Sequence, residues 1–175
     1  MSIKRIDPLL AIARGIIVFL MAVMIFAMTM IAIGAGAVVV MFPTVMAKLA
    51  EHGAPALSFW AILAMLVCAA AIVSVVYRFL DRLRLIVNTV DAGDPFIPVN
   101  ADRLQEMAWL TIAMQVLTIP MASLGYWMAT NLDKAKADID FDIDINGVIL
   151  ALVLFILARV FRRGAEMREE LEGTV

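Results

Sequence analysis

Four stretches of this chain, Gly15–Phe42, Ala54–Tyr77, Met107–Leu132 and Ile145–Ala158, carry no formal charge apart from Lys or Arg at their edges, and no other feature restricts the fold as much. The first three exceed the roughly 20 residues that cross a bilayer core as helix. The fourth reaches that length once Val160 and Phe161 are counted and Arg159 extends its head towards water. Hydrocarbon offers the backbone no partners, so such runs must satisfy their own amides as helices. With 64% hydrophobic and 17% charged residues, the chain has too little polar surface for a water-soluble domain of 175 residues. The expected fold is an all-α membrane protein, one four-transmembrane-helix bundle over 1–175 with spans near 15–42, 54–79, 107–132 and 145–161. A hinge at 80–106 and a C-terminal helix at 162–173 lie outside the bilayer in this reading.

Lys4 and Arg5 ahead of an apolar run, with Ala35-Gly36-Ala37 after it, superficially resemble a signal peptide. The run far exceeds the h-region of about 7–15 residues and continues to Phe42, so it is expected to stay as an anchor. Three basic residues precede the first span, four lie between the second and third, and four follow the fourth, against Lys48, Lys134 and Lys136 in the other two loops. The positive-inside rule therefore predicts an inner-membrane protein with both termini and the hinge in the cytoplasm.

Between the second and third spans, Gly93-Asp94-Pro95-Phe96-Ile97-Pro98-Val99-Asn100 breaks any continuous helix. Asn100 is the expected N-cap of the next helix, with Val99 and Leu104 as a hydrophobic staple. Phe79, Leu83, Ile86 and Val90 keep helical apolar spacing, which carries the second helix past the bilayer until Gly93 stops it. Val160, Gly164, Met167 and Leu171 do the same for the fourth. Two helical stubs are thus expected to protrude beside the hinge, with Arg162 and Arg163 facing Asp94, Asp102 and Glu106, and Phe96 between the stubs as an apolar anchor.

Asp138 to Asn146 alternates acidic and apolar residues, which predicts a short strand-like loop outside the cytoplasm. Asp140, Asp142, Asp144 and Asn146 resemble the start of a calcium loop, but Ile145 replaces the turn glycine and Ala151 the bidentate acid. Met107, Met114, Met121 and Met128 recur every seven residues, and Met21, Met24 and Met28 form a second stripe; gap-filling is the ordinary role of such methionines, and no His or Cys joins them to favour copper. Ala61, Ala64, Cys68 and Ala71, and likewise Ala122, Gly125 and Ala129, have the spacing of helix seams. Gln115 and Thr118 flank the Pro120 kink and are expected to satisfy the broken helix rather than line a cavity. No acidic or basic residue sits at mid-membrane, which argues against a proton-coupled pump. His52 has no nucleophile to pair with, so no catalytic, cofactor-binding or metal residues and no enzyme are expected. A net charge of −2 gives no reason for direct nucleic-acid binding. The lone Cys68 excludes an intrachain disulfide.

Two segments resemble a known family: Gly93-Asp94-Pro95-Phe96 leading to Asn100-Ala101-Asp102-Arg103-Leu104, and Leu157 to Gly164 leading to Glu169-Glu170 and Gly173-Thr174-Val175. They are similar to the bacterial membrane proteins grouped as domain of unknown function 2975, over essentially the whole chain, although Gly173 stands where that family usually has Leu. The resemblance implies no catalytic residues. It implies a membrane protein that holds or controls a small helix-turn-helix regulator, because members are often encoded beside one. The functional expectation is therefore a membrane interaction or regulatory protein whose partner surface uses Asp94, Pro95, Phe96, Asn100, Arg103, Arg162, Arg163 and Gly164. The rival expectation is a small transporter or lipophile-binding protein using the Met-rich interior. The partners expected of the chain are the lipid bilayer, a cytoplasmic protein and, in an oligomer, further copies of itself.

Overall fold

The computed structural model describes residues 8–51, 56–132 and 145–172. Five helices occur there: α1 (Pro8–Val40), α2 (Phe42–Glu51), α3 (Leu57–Asp91), α4 (Pro98–Leu132) and α5 (Ile145–Glu172). All but α2 are long and apolar enough to cross a membrane, which marks a multi-pass membrane protein. The expected strand lies largely outside the described residues; its last two positions, Ile145 and Asn146, are the first of α5 instead.

The helix α2 was not foreseen. The expected first span ran unbroken to Phe42, but Pro43 has no N–H to donate and its ring crowds the preceding turn, so the chain breaks at Met41 and restarts. Met41 still donates to the Ala37 carbonyl at 2.9 Å and accepts from Val45 at 2.9 Å, which limits the break to one residue. The short helix lies against the start of α3, where Leu49 is buried and Phe42 meets Phe59 edge-on at 4.7 Å.

The four long helices stand in an open row, an order the sequence left undetermined. α1 packs on α3, α3 on α4 and α4 on α5, while no Cα of α1 comes within 8 Å of α4 or α5, and none of α3 within 8 Å of α5. Each neighbouring pair is antiparallel: Arg14 reaches Asp91, Arg82 reaches Glu106, and Arg162 reaches Asp102. Packing explains the strength of the last pair. Ala101, Leu104, Ala108 and Thr111 of α4 are buried at alternating spacings of three and four, facing Ala151, Leu154, Ala158 and Ala165 of α5. Small side chains let two backbones approach closely, and van der Waals contact then supplies what the hydrophobic effect cannot supply in lipid. Of the seam foreseen at Ala122, Gly125 and Ala129, Gly125 makes no close approach, since a Cβ there would meet no atom within 4 Å.

That α4–α5 seam ends in an unusual fit. A Cβ added to Gly147 would lie 2.0 Å from Nε2 of Gln115, so the Gln115 side chain rests on the bare backbone of α5. Thr118 donates to the Gln115 carbonyl at 2.7 Å and Thr111 to the Met107 carbonyl at 2.9 Å. These hydroxyls are satisfied within their own helix, on the Gln115 and Met107 carbonyls rather than on the Val116 carbonyl that Pro120 frees. Met107 is wholly enclosed as a gap-filler in the core, where Ile86, Leu104, Ala108, Leu154 and Ala158 surround it.

Candidate functional site

The basic end of the row carries the site, and its frame is the turn between α3 and α4. α3 ends at Asp91, and Gly93 takes a positive φ of 85° that other residues adopt only at a cost. The Gly93 amide donates to the Val90 carbonyl at 3.0 Å and the Asp94 amide to the Thr89 carbonyl at 3.0 Å. This paired arrangement closes the exposed carbonyls of the last turn. α4 then starts at Pro98, two residues before the expected cap, because a proline at the first helical position loses no bond and has its φ already set.

Asn100 consequently lies inside α4 and caps nothing. It is fully buried, and its Nδ2 donates to Thr89 Oγ1 at 2.7 Å and to the Pro95 carbonyl at 2.8 Å. Its Oδ1 accepts from Arg103 Nη1 at 2.9 Å, and the same Nη1 donates to the Leu85 carbonyl at 3.3 Å. Thr89 Oγ1 in turn donates to the Ile86 carbonyl at 2.7 Å. Both amide hydrogens and the amide oxygen of Asn100 are therefore occupied, and a buried network with every member satisfied is rigid. The expected staple does not form: Leu104 enters the core with Ile86, while Val99 is 50% exposed.

This clamp presents Phe96. Its ring lies 5.1 Å from that of Phe161 and directly over Gly164, where a Cβ would meet Phe96 Cδ1 at 2.8 Å. Phe96 is nevertheless 43% exposed. Rather than inserting between two stubs, it rests on one of them, α5. Arg168 pairs with Asp94 beside it and ties the turn to the last turns of α5.

The charges pair differently from expectation. Arg162 Nη2 does meet Asp102 Oδ1, at 2.7 Å, and also reaches Gln105 Oε1 at 3.3 Å. Asp94 takes Arg168 rather than Arg163, and Glu106 takes Arg82, whose Nε lies 2.7 Å away. Arg163 lies with Arg159 and Arg162 in a groove on the other flank of the α4–α5 seam. Gly164 lies under the Phe96 ring and not in that groove, so Arg163 and Gly164 belong to different surfaces. Of the eight residues expected to act together, Asp94, Pro95, Phe96, Asn100, Arg103 and Gly164 converge at the hinge, whereas Arg162 and Arg163 belong to the groove. Thr89, Arg82 and Arg168 were missed; a basic residue in the last turns of a stub was the one available signal for Arg168.

Residues 44–175, about three quarters of the chain, match the model of a family described as protein of unknown function, DUF2975. The chain belongs to the DUF2975 family. No curated protein and no solved structure matches it. The stretch shared with DUF2975 holds α3, the hinge, α4 and α5, and so the whole of the site; α1 lies before it, although the resemblance read from the sequence extends over essentially the entire chain. Among the described residues no three of His, Cys, Asp and Glu gather to hold a metal ion.

Proposed function

We propose that this protein is an inner-membrane regulatory protein whose basic end faces the cytoplasm and offers the Phe96 surface to a protein partner. The partner that the family resemblance implies is a small helix-turn-helix regulator, held by protein–protein contact with no nucleic acid touched. The single observation that carries this reading is Phe96: an aromatic ring 43% exposed, yet fixed by Gly164, Phe161 and a fully bonded turn. Rigid aromatic anchors dominate protein interfaces because little conformational freedom is lost when they are covered. The excess of basic residues at this end supports the cytoplasmic orientation.

The test is capture by tagged wild-type and Phe96→Ala protein in mild detergent, with quantitative mass spectrometry and equal membrane levels. A partner retained by the wild type and lost by Phe96→Ala is the expected result. Retention of every cytoplasmic partner by the variant discards the reading. A variant that no longer assembles makes the ring structural instead.

One observation favours a second reading, a lipophile-binding protein. Between α1 and α3 lies a cavity of about 440 Å³ lined by Met24, Met28, Val73 and Tyr77. Thr29 and Ser74, also in its wall, donate to their own helices at Ile25 and Ala70, so its polar contacts are confined to the end where Tyr77 and Arg78 lie. Uptake of a hydrophobic fluorophore by proteoliposomes, lost on Met28→Phe, distinguishes this reading from the first.

A further inference from the structure

The groove on the far flank of the α4–α5 seam is built for something other than the Phe96 surface. It encloses about 640 Å³, with Phe155, Ile156 and Ala158 as its floor and Arg159, Arg162, Arg163 and Gln105 around it. We propose that this groove binds the headgroup of an anionic phospholipid.

Charge gives the first argument. The three arginines stand at i, i+3 and i+4 on α5, so their guanidinium groups share one side of the helix. Arg162 is held in place by Asp102 and Gln105. Arg159 and Arg163 are exposed and have no carboxylate partner among the described residues, whereas Arg14, Arg82 and Arg168 each have one. Glu166 is the one acid in the lining, so the groove keeps an excess of positive charge. Guanidinium groups donate pairs of hydrogen bonds that match the oxygens of a phosphodiester.

Position gives the second argument and selects a lipid over a soluble anion. One turn from Arg159 towards the apolar part of α5, Phe155 meets Trp109 edge-on at 5.4 Å, and Trp109 is 59% exposed. Such amphipathic rings sit where hydrocarbon gives way to headgroups. From Ile156 in the groove, the exposed side chain of Leu152 carries the apolar surface on along the span. A molecule filling this site thus needs an anionic head at the arginines and a hydrocarbon tail along Ile156 and Leu152. A soluble phosphate would leave that apolar wall unused, and an acidic peptide cannot follow it into hydrocarbon. Basic pockets between helices at one membrane face are a known way of holding acidic lipids.

The experiment titrates the full-length protein in detergent with phosphatidylglycerol or phosphatidylcholine of identical chains and reads bound lipid by native mass spectrometry. The wild type is expected to retain phosphatidylglycerol in clear preference. Arg159→Gln/Arg163→Gln should bind it on the order of thirtyfold more weakly, about fivefold for each guanidinium removed. Arg84→Gln, an exposed α3 arginine outside the groove, should change binding less than twofold. Unchanged helicity and elution certify the fold of each variant, which is expected because Arg159 and Arg163 make no ion pair. Equal binding of the two lipids, an unaltered double variant, or an equal loss in Arg84→Gln overturns the proposal. Displacement of the lipid by millimolar inorganic phosphate, together with loss of the lipid preference, reassigns the groove to free anions and overturns it too.

Discussion

Replacing Asn100 with alanine tests the idea that one amide holds the α3–α4 turn. Three hydrogen bonds disappear: those to Thr89 Oγ1 and the Pro95 carbonyl, and that from Arg103. Each nets about 1 kcal/mol in a protein, and full burial of Asn100 places the loss at about 3 kcal/mol. Thr89 and Arg103 keep their bonds to the Ile86 and Leu85 carbonyls, so neither is stranded, whereas the partly buried Pro95 carbonyl loses its partner and makes the figure a lower bound. The loss falls on docking of the turn rather than on the spans, whose backbone bonds are internal to each helix. Amide hydrogen exchange at Gly93 and Asp94 reads it directly, because both amides bond across the end of α3. About 3 kcal/mol corresponds to protection falling on the order of a hundredfold if opening equilibrates before exchange. Protection within threefold of wild type would show that the helices alone fix the turn. Asn100→Asp keeps the acceptor facing Arg103 but sets a carboxylate oxygen against the Pro95 carbonyl in a fully buried position, and should cost at least as much as alanine.

Gly93→Ala places a Cβ at a φ of +85° and should cost about 1–2 kcal/mol, read as roughly tenfold faster exchange at the same amides. Gly147→Ala puts a methyl against Gln115 and should weaken the α4–α5 pair, whereas Gln115→Ala should rescue it; a coupling near zero in a double-mutant cycle of unfolding in detergent would deny that contact. A cysteine at 97 should label from the cytoplasmic side and one at 56 from the opposite side, in a Cys68→Ala background. Reversed labelling would refute the orientation taken from the basic residues.

The spans were legible because bilayer thickness turns a run such as Ala54–Tyr77 into a helix with few alternatives, and Gly93 because few other residues end a helix in that way. The pairing of charges was not legible, for a physical reason. The register of α5 on α4 is set by the core in which Leu104, Met107 and Ala108 meet Leu154 and Ala158, far stronger together than any exposed ion pair of about 0–1 kcal/mol. Arg163 and Arg168 lie five residues apart on the same stub, and the seam decides which of them meets Asp94. Gly164 read as part of an apolar stripe; that it lies under the Phe96 ring depends on a contact between residues 68 positions apart. The role of Asn100 was inverted because an N-cap signal and a proline two residues earlier compete for the helix start, and proline, with its φ already set, prevailed.

The open row also bears on how the chain is made. Every helix–helix interface joins elements that follow one another closely in the sequence, so no helix released from the ribosome must wait for a distant partner before it can dock. Assembly can proceed hairpin by hairpin in the order of synthesis, with the hinge closing as soon as α4 emerges. Among the long helices, α1 touches α3 alone, so its removal uncovers one seam and leaves the α3–α4–α5 unit, and with it the Phe96 surface, intact. The α3–α4–α5 unit is in this sense modular, with the first span an appended wall rather than a keystone.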